Sequence, residues 1–184
     1  MEYMTFTKLQ IENVGKNVLD LHLQQYHCSE SLIRALWPFI IPEEELSPRI
    51  LKIAMPFRGG MGASMSSHCG GLTVGFMLIG AVYGRTDLKG DGKLAPAFCR
   101  QYWKMFLDEF GTSNCTLLRA GKPGPEAPSR CGCIMVRSAQ LVLKFFNKIH
   151  AEDQDLDSIY SFKLDRSKEP CHEQVIPMKS SDEK

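Results

Sequence analysis

The chain carries almost no surplus charge: 22 lysines and arginines against 21 aspartates and glutamates leave +1. That balance argues against a general binder of nucleic acid or of acidic membranes, which reward a basic excess. Long apolar runs are also missing. The longest, Gly70 to Gly84 (GGLTVGFMLIGAVYG), offers about fifteen uncharged residues where a membrane span needs roughly 20. It reads as a buried core helix. The opening residues, MEYMTFTKLQIENVGK, lack a basic start followed by an apolar run, so no signal peptide is expected. No repeat with a period of about 20–50 residues is visible, which removes solenoids and arrays. No segment alternates convincingly, which removes a sheet. Three ligand signatures are absent as well. There is no pair of C-x-x-C motifs with zinc spacing and no C-x-x-C-H for covalent c-type haem attachment. The run Phe57–Gly62 is not a P-loop, because no Gly-Lys-Ser/Thr follows it.

What remains is an ordinary globular composition, with 43% hydrophobic and 23% charged residues in 184. One domain of this size buries about two-thirds of its unfolded surface and needs no disulfides to hold together. Apolar residues at helical spacing predict helices over Thr7–Gln25, Ser29–Trp37, Glu43–Met55, Cys69–Gly84, Lys93–Phe110, a short piece from Cys115, and Cys133–His150. The predicted fold class is all-α, a single-domain helical bundle of about six to seven helices over residues 1–151. Residues 152–184 are polar and mixed in charge and read as a flexible tail, in which Ile159–Phe162 is the stretch able to dock.

The seven cysteines carry the chemistry. Cys28, Cys69, Cys115 and the Cys131/Cys133 pair all sit where helices are predicted to begin. A helix start has unpaired N–H groups and the positive end of the macrodipole. A thiol there loses its proton more easily, and the thiolate is the form that attacks, is oxidised or binds metal. Cys69 also follows a glycine-rich loop and is expected to be the most acidic thiol, provided that it faces the loop rather than the apolar helix. Without a signal peptide, clustered cysteines point to a reducing cytoplasmic setting and to catalytic or metal-binding roles. Arg58, Gly59, Gly60 and Gly62 form a loop whose backbone could approach an anion or cluster, with Gly70 just after Cys69. His27 and His68 each precede a key cysteine, and His68 is the stronger candidate base or ligand. Cys99 lies on an inward helical stripe and reads as packing. Cys171, beside His172, reads as incidental.

Over roughly Val18 to Ile149 the chain resembles the redox-active proteins named after the pattern C_GCAxxG_C_C. The landmarks, in order, are Tyr26-His27-Cys28-Ser29-Glu30, Phe57-Arg58-Gly59-Gly60-Met61-Gly62 and Cys69-Gly70. Then come Tyr83-Gly84-Arg85-Thr86-Asp87, Phe110-Gly111, Asn114-Cys115, and a last cysteine before Val136-Arg137. The chain departs from C-G-A-x-x-G at the central cysteine: Gly71 stands at the alanine and Val74 at the last glycine, with Gly75 one step later. The fourth family cysteine is either Cys131 or Cys133, and the distance to Val136 favours Cys133.

The expected site is therefore Cys28, Cys69, Cys115 and Cys133. The thiols either cycle between dithiol and disulfide or, with Cys131 as a further ligand, hold an iron–sulfur cluster or another soft metal. A redox partner protein is implied but not identified. A helical adaptor with merely buried cysteines is the alternative of a different class.

Overall fold

A computed structural model describes residues 5–151 and 155–165; Cys171 and His172 lie outside the described residues. Among the described residues the protein is all-α, with α1 (Lys8–Leu23), α2 (Cys28–Ile40), α3 (Pro48–Ala54) and a 3-10 turn at Met55–Phe57. The order continues with α4 (Gly70–Tyr83), α5 (Leu94–Phe110), α6 (Cys115–Arg119), α7 (Arg130–Ala151) and α8 (Leu156–Ser161). No described helix is long and apolar enough to cross a membrane.

The caps explain most of the boundaries. Thr7 Oγ1 accepts the Gln10 N–H at 3.3 Å, and Gln10 Oε1 accepts the Thr7 N–H at 2.9 Å, a reciprocal pair that starts α1. Gly111, at φ +76°, ends α5. Two starts differ from the sequence expectation. Helix α3 begins at Pro48 rather than near Glu43, because Ser47 caps it and Pro48 supplies the pre-set first helical residue. Helix α7 begins at Arg130 rather than Cys133, because the Ser129 hydroxyl accepts the Gly132 N–H at 3.0 Å. The earlier start brings Cys131 into the first turn.

Helix α7 is the central element and packs against α1, α2, α4, α5 and α6. Its amphipathic pattern buries Ile134, Met135, Leu141, Val142, Phe145 and Phe146. Phe145 meets Tyr102 at 5.5 Å and Phe98 at 6.2 Å in edge-to-face contacts. Tyr102 is fully buried, and its hydroxyl donates to the Gly71 carbonyl at 3.1 Å. The Tyr102 ring fills the space that a side chain at Gly75 would need, so α4 and α5 approach closely. This seats the start of α4 deep in the bundle, beside the start of α2. Helix α8 docks on α5: Ile159 is buried, and the Arg100 side chain donates to the carbonyls of Phe162 at 2.9 Å and Tyr160 at 3.3 Å.

Candidate functional site

Four helix starts converge on one cavity. Cys28 is the first residue of α2, and Cys69 is the N-cap of α4, where its Sγ accepts the Gly71 N–H at 3.4 Å. Cys115 opens α6, which Asn114 caps through the Leu117 N–H at 3.1 Å. Cys131 lies in the first turn of α7. All four line a cavity of about 540 Å³.

Local backbone chemistry holds them there. The Cys69 N–H donates to the Ser113 carbonyl at 2.8 Å, and the Cys115 N–H donates to the Ser67 carbonyl at 2.9 Å. These bonds lash the two cysteine-bearing segments together. Arg130 ties the start of α7 to the end of α6, donating from Nε to the Leu118 carbonyl at 3.0 Å. Cys28 comes close to Cys69 because residue 70 is glycine: a Cβ there would lie 2.8 Å from the Cys28 sulfur. The loop beside Cys115 is left-handed at Gly59, Gly60, Met61, Gly62 and Ala63 in succession, and again at Met65. Left-handed backbone costs a non-glycine residue roughly 1–2 kcal/mol. The Met65 N–H donates to the Gly59 carbonyl at 2.8 Å, and the Thr116 N–H to the Met65 carbonyl at 3.0 Å, which helps hold the turn in place. Strain of this kind is tolerated where surrounding contacts over-determine it, and such places cluster at functional sites.

Of the Cys131/Cys133 pair, Cys131 lines the cavity and Cys133, the residue favoured from the sequence, does not. Residues two apart on a helix do not share a face. Cys131 points to the cavity together with Ile134, three residues on. Cys133 is buried on another face of α7, where its thiol donates to the Ala127 carbonyl at 3.4 Å and accepts the Gly124 N–H at 3.1 Å. It pins the proline-rich loop. The six described cysteines are free thiols.

Burial dominates the electrostatics. It pushes the Cys69 thiol well up, against the single Gly71 N–H that lowers it, and the thiols of Cys28, Cys115 and Cys131 push it further. The expectation that Cys69 is the most acidic thiol is thus reversed: at 7% exposure it is too dry for the helix start to win. Burial also raises Cys115, with Cys28 adding to the effect and Arg119 opposing it. Cys131 is pushed up to about 11 by burial, then by Cys28 and Cys115, again with Arg119 opposing. Cys69, Cys115 and Cys131 therefore each sense the charge of neighbouring cavity thiols.

The remaining expected residues divide. Arg58 and Gly59 line the cavity; Gly60 and Gly62 build the left-handed turn, with Gly60 underneath Cys115; Gly70 makes room for Cys28. His27 lines the cavity, and its Nε2 accepts from Arg58 Nη1 at 2.7 Å, so that nitrogen carries no proton. His68 faces elsewhere. Its Nδ1 lies 2.9 Å from the Ser113 hydroxyl, its ring meets Trp103 edge-to-face at 5.0 Å, and it lines a separate apolar recess with Phe57, Leu72 and Phe76.

Two titratable side chains at the cavity, Arg119 and His22, were not anticipated. Arg119 lies one turn after Cys115, and the i, i+4 spacing was a readable signal. His22 reaches the cavity from the last turn of α1, its Nδ1 3.2 Å from the Tyr26 carbonyl. A carbonyl can only accept, so Nδ1 bears the proton and Nε2 is the basic nitrogen. Among the described residues, no three His, Cys, Asp or Glu side chains come together in a way that could hold a metal ion.

A model of the family described as "Putative redox-active protein (C_GCAxxG_C_C)" matches residues 26–145. The chain belongs to the C_GCAxxG_C_C family. The matched span contains all four cysteines at the cavity of this C_GCAxxG_C_C protein, and Cys133 as well. No curated protein and no solved structure matches the chain.

Proposed function

We propose that the cavity is a dithiol–disulfide redox centre built from Cys28, Cys69, Cys115 and Cys131. The observation that carries this reading is the convergence itself. Four thiols from four separate segments line one cavity, and Cys69, Cys115 and Cys131 are each shifted by neighbouring cavity thiols. Cysteines that serve only as small buried residues have no reason to share a cavity wall, and Cys133 and Cys99 do not. Membership of a family described by redox activity supports the same chemistry. Two thiols give up two electrons and two protons to a disulfide acceptor and become a disulfide; the reverse restores them. The iron–sulfur or soft-metal reading fits less well. The donors are the right type, but no three of them are gathered in a metal-holding arrangement among the described residues. The protein so read is an oxidoreductase or electron-transfer protein.

The test is equilibration in dithiothreitol buffers of graded potential, with thiols counted by quantitative alkylation. The wild type is expected to show a two-electron transition. Cys28→Ser, Cys69→Ser, Cys115→Ser and Cys131→Ser should alter it, and Cys99→Ser and Cys133→Ser should not. Independent, additive stability losses from all six changes with no redox transition would return the protein to the class of helical adaptors.

A further inference from the structure

The charged side chains lining the cavity have one sign. Arg58 and Arg119 line it, and among the described residues no aspartate or glutamate does. Neither arginine has an ion-pair partner among the described residues. Their hydrogen bonds go instead to neutral acceptors: Arg58 to His27 Nε2 at 2.7 Å, and Arg119 to the Met65 thioether at 3.2 Å. A guanidinium presents a planar fork of donors suited to a carboxylate, and neither of these neighbours uses that fork fully. The thiols do not supply the missing negative charge, since burial keeps Cys69, Cys115 and Cys131 protonated at neutral pH. The counter-charge is left for a ligand to bring. A cavity of about 540 Å³ lies in the range that holds a small molecule.

We propose that the cavity takes a small anionic disulfide, a molecule carrying carboxylates on either side of its S–S bond, with Arg58 and Arg119 as the carboxylate-binding residues. This rests on the dithiol–disulfide reading above. Cys131 is a half-buried residue where the other three are buried, and it meets the substrate first. Its thiol loses its proton, and its sulfur bonds to one substrate sulfur as the substrate S–S bond breaks. The other half leaves as a thiolate and takes up a proton. A second cavity thiol loses its proton and attacks the Cys131 sulfur, which forms the protein disulfide and releases the second half as a thiol. The substrate gains two electrons and two protons, and the cavity cysteines lose the same. The carboxylates are unchanged.

The experiment uses the reduced full chain and two probes of matched length, 3,3′-dithiodipropionate with two carboxylates and cystamine with two ammonium groups. Each rate is divided by that of a neutral small thiol with the same probe. A redox-inert third probe, 3,3′-thiodipropionate, is titrated calorimetrically. The normalised preference for the anionic disulfide is expected to exceed about tenfold in the wild type and to approach one in Arg58→Gln/Arg119→Gln. Arg58→Lys/Arg119→Lys should restore part of it, and thiodipropionate should bind the wild type but not the glutamine variant. Equal normalised rates for both disulfides in the wild type would overturn the inference while leaving the redox reading standing. So would a preference that survives in the glutamine variant, or an absence of thiodipropionate binding. Failure of both disulfides to oxidise the protein would overturn the redox reading and the disulfide substrate with it.

Discussion

Gly70→Ala tests how Cys28 and Cys69 are brought together. A Cβ at residue 70 would lie 2.8 Å from Cys28 Sγ and 3.4 Å from the Ser29 nitrogen. An ordinary contact needs about 3.5–4.0 Å, so the sulfur must yield by roughly 1 Å. Cys28 is only 9% exposed, so its thiol can move only by rotating into packed neighbours or by parting α2 from α4. Overpacking of this kind costs about 1–3 kcal/mol. Alanine in place of glycine within a helix returns about 0.5–1 kcal/mol. The net loss expected for Gly70→Ala is therefore about 0–2.5 kcal/mol. In a Cys28→Ala background the obstructing sulfur is gone, and the same change should stabilise by about 0.5–1 kcal/mol. The double-mutant cycle, measured by urea unfolding under reducing conditions, should thus give a coupling of about 1–3 kcal/mol. A coupling below about 0.5 kcal/mol would mean that Cys28 does not occupy the space above Gly70, and the packing of the two helix starts would be wrong.

Gly75→Ala should be worse tolerated, because the new methyl meets the fully buried Tyr102 ring; a loss of about 3 kcal/mol or more is expected in denaturant unfolding, and a near-neutral result would contradict the close approach of α4 and α5. Ile159→Ala should cost about 2 kcal/mol or more and lower Tm by at least about 4 °C, as removal of a docked apolar side chain does; an unchanged Tm would mean that α8 does not hold to α5 in solution. Stability under reducing conditions should depend on alkaline pH with a definite sign. Burial raises Cys99 and Cys131 from the ordinary 9.0 to about 11, so their contribution is whole below pH 9 and is lost as pH rises through 11. Unfolding free energy should hold level to about pH 8.5 and then fall, with a shallower fall in Cys131→Ser; an identical slope in both proteins would refute that share for Cys131.

Much of the architecture was legible because helices advertise themselves locally. The stripe through Phe98, Tyr102 and Phe106, the cap at Asn114 and the stop at Gly111 all lie within a few residues of what they control. The acidic run Glu43–Glu45 misled, since a serine cap followed by proline at Ser47-Pro48 is the stronger start signal. The set of cysteines at helix starts was readable too, but not which of the last pair lines the cavity. That depends on the rotational phase of α7, which Ser129 sets by starting the helix at Arg130. At the cavity His22 bonds the Tyr26 carbonyl, which follows a left-handed residue at Gln25 that no residue type there announces. The acidity of Cys69 failed for a related reason. A helix start is visible in sequence, whereas the layers of α5 and α7 that dry it belong to distant segments.

If Cys28, Cys69, Cys115 and Cys131 form one redox unit, oxidation of the native protein stays among them. The most direct measurement is peptide mapping by mass spectrometry after the native protein has been oxidised with an excess of small disulfide and quenched in acid. Reversible intramolecular disulfides drawn only from these four are expected, with Cys99 and Cys133 recovered as thiols. Recovery of all four as thiols, or disulfides that join Cys99 or Cys133 as readily as Cys131, would contradict a single redox unit.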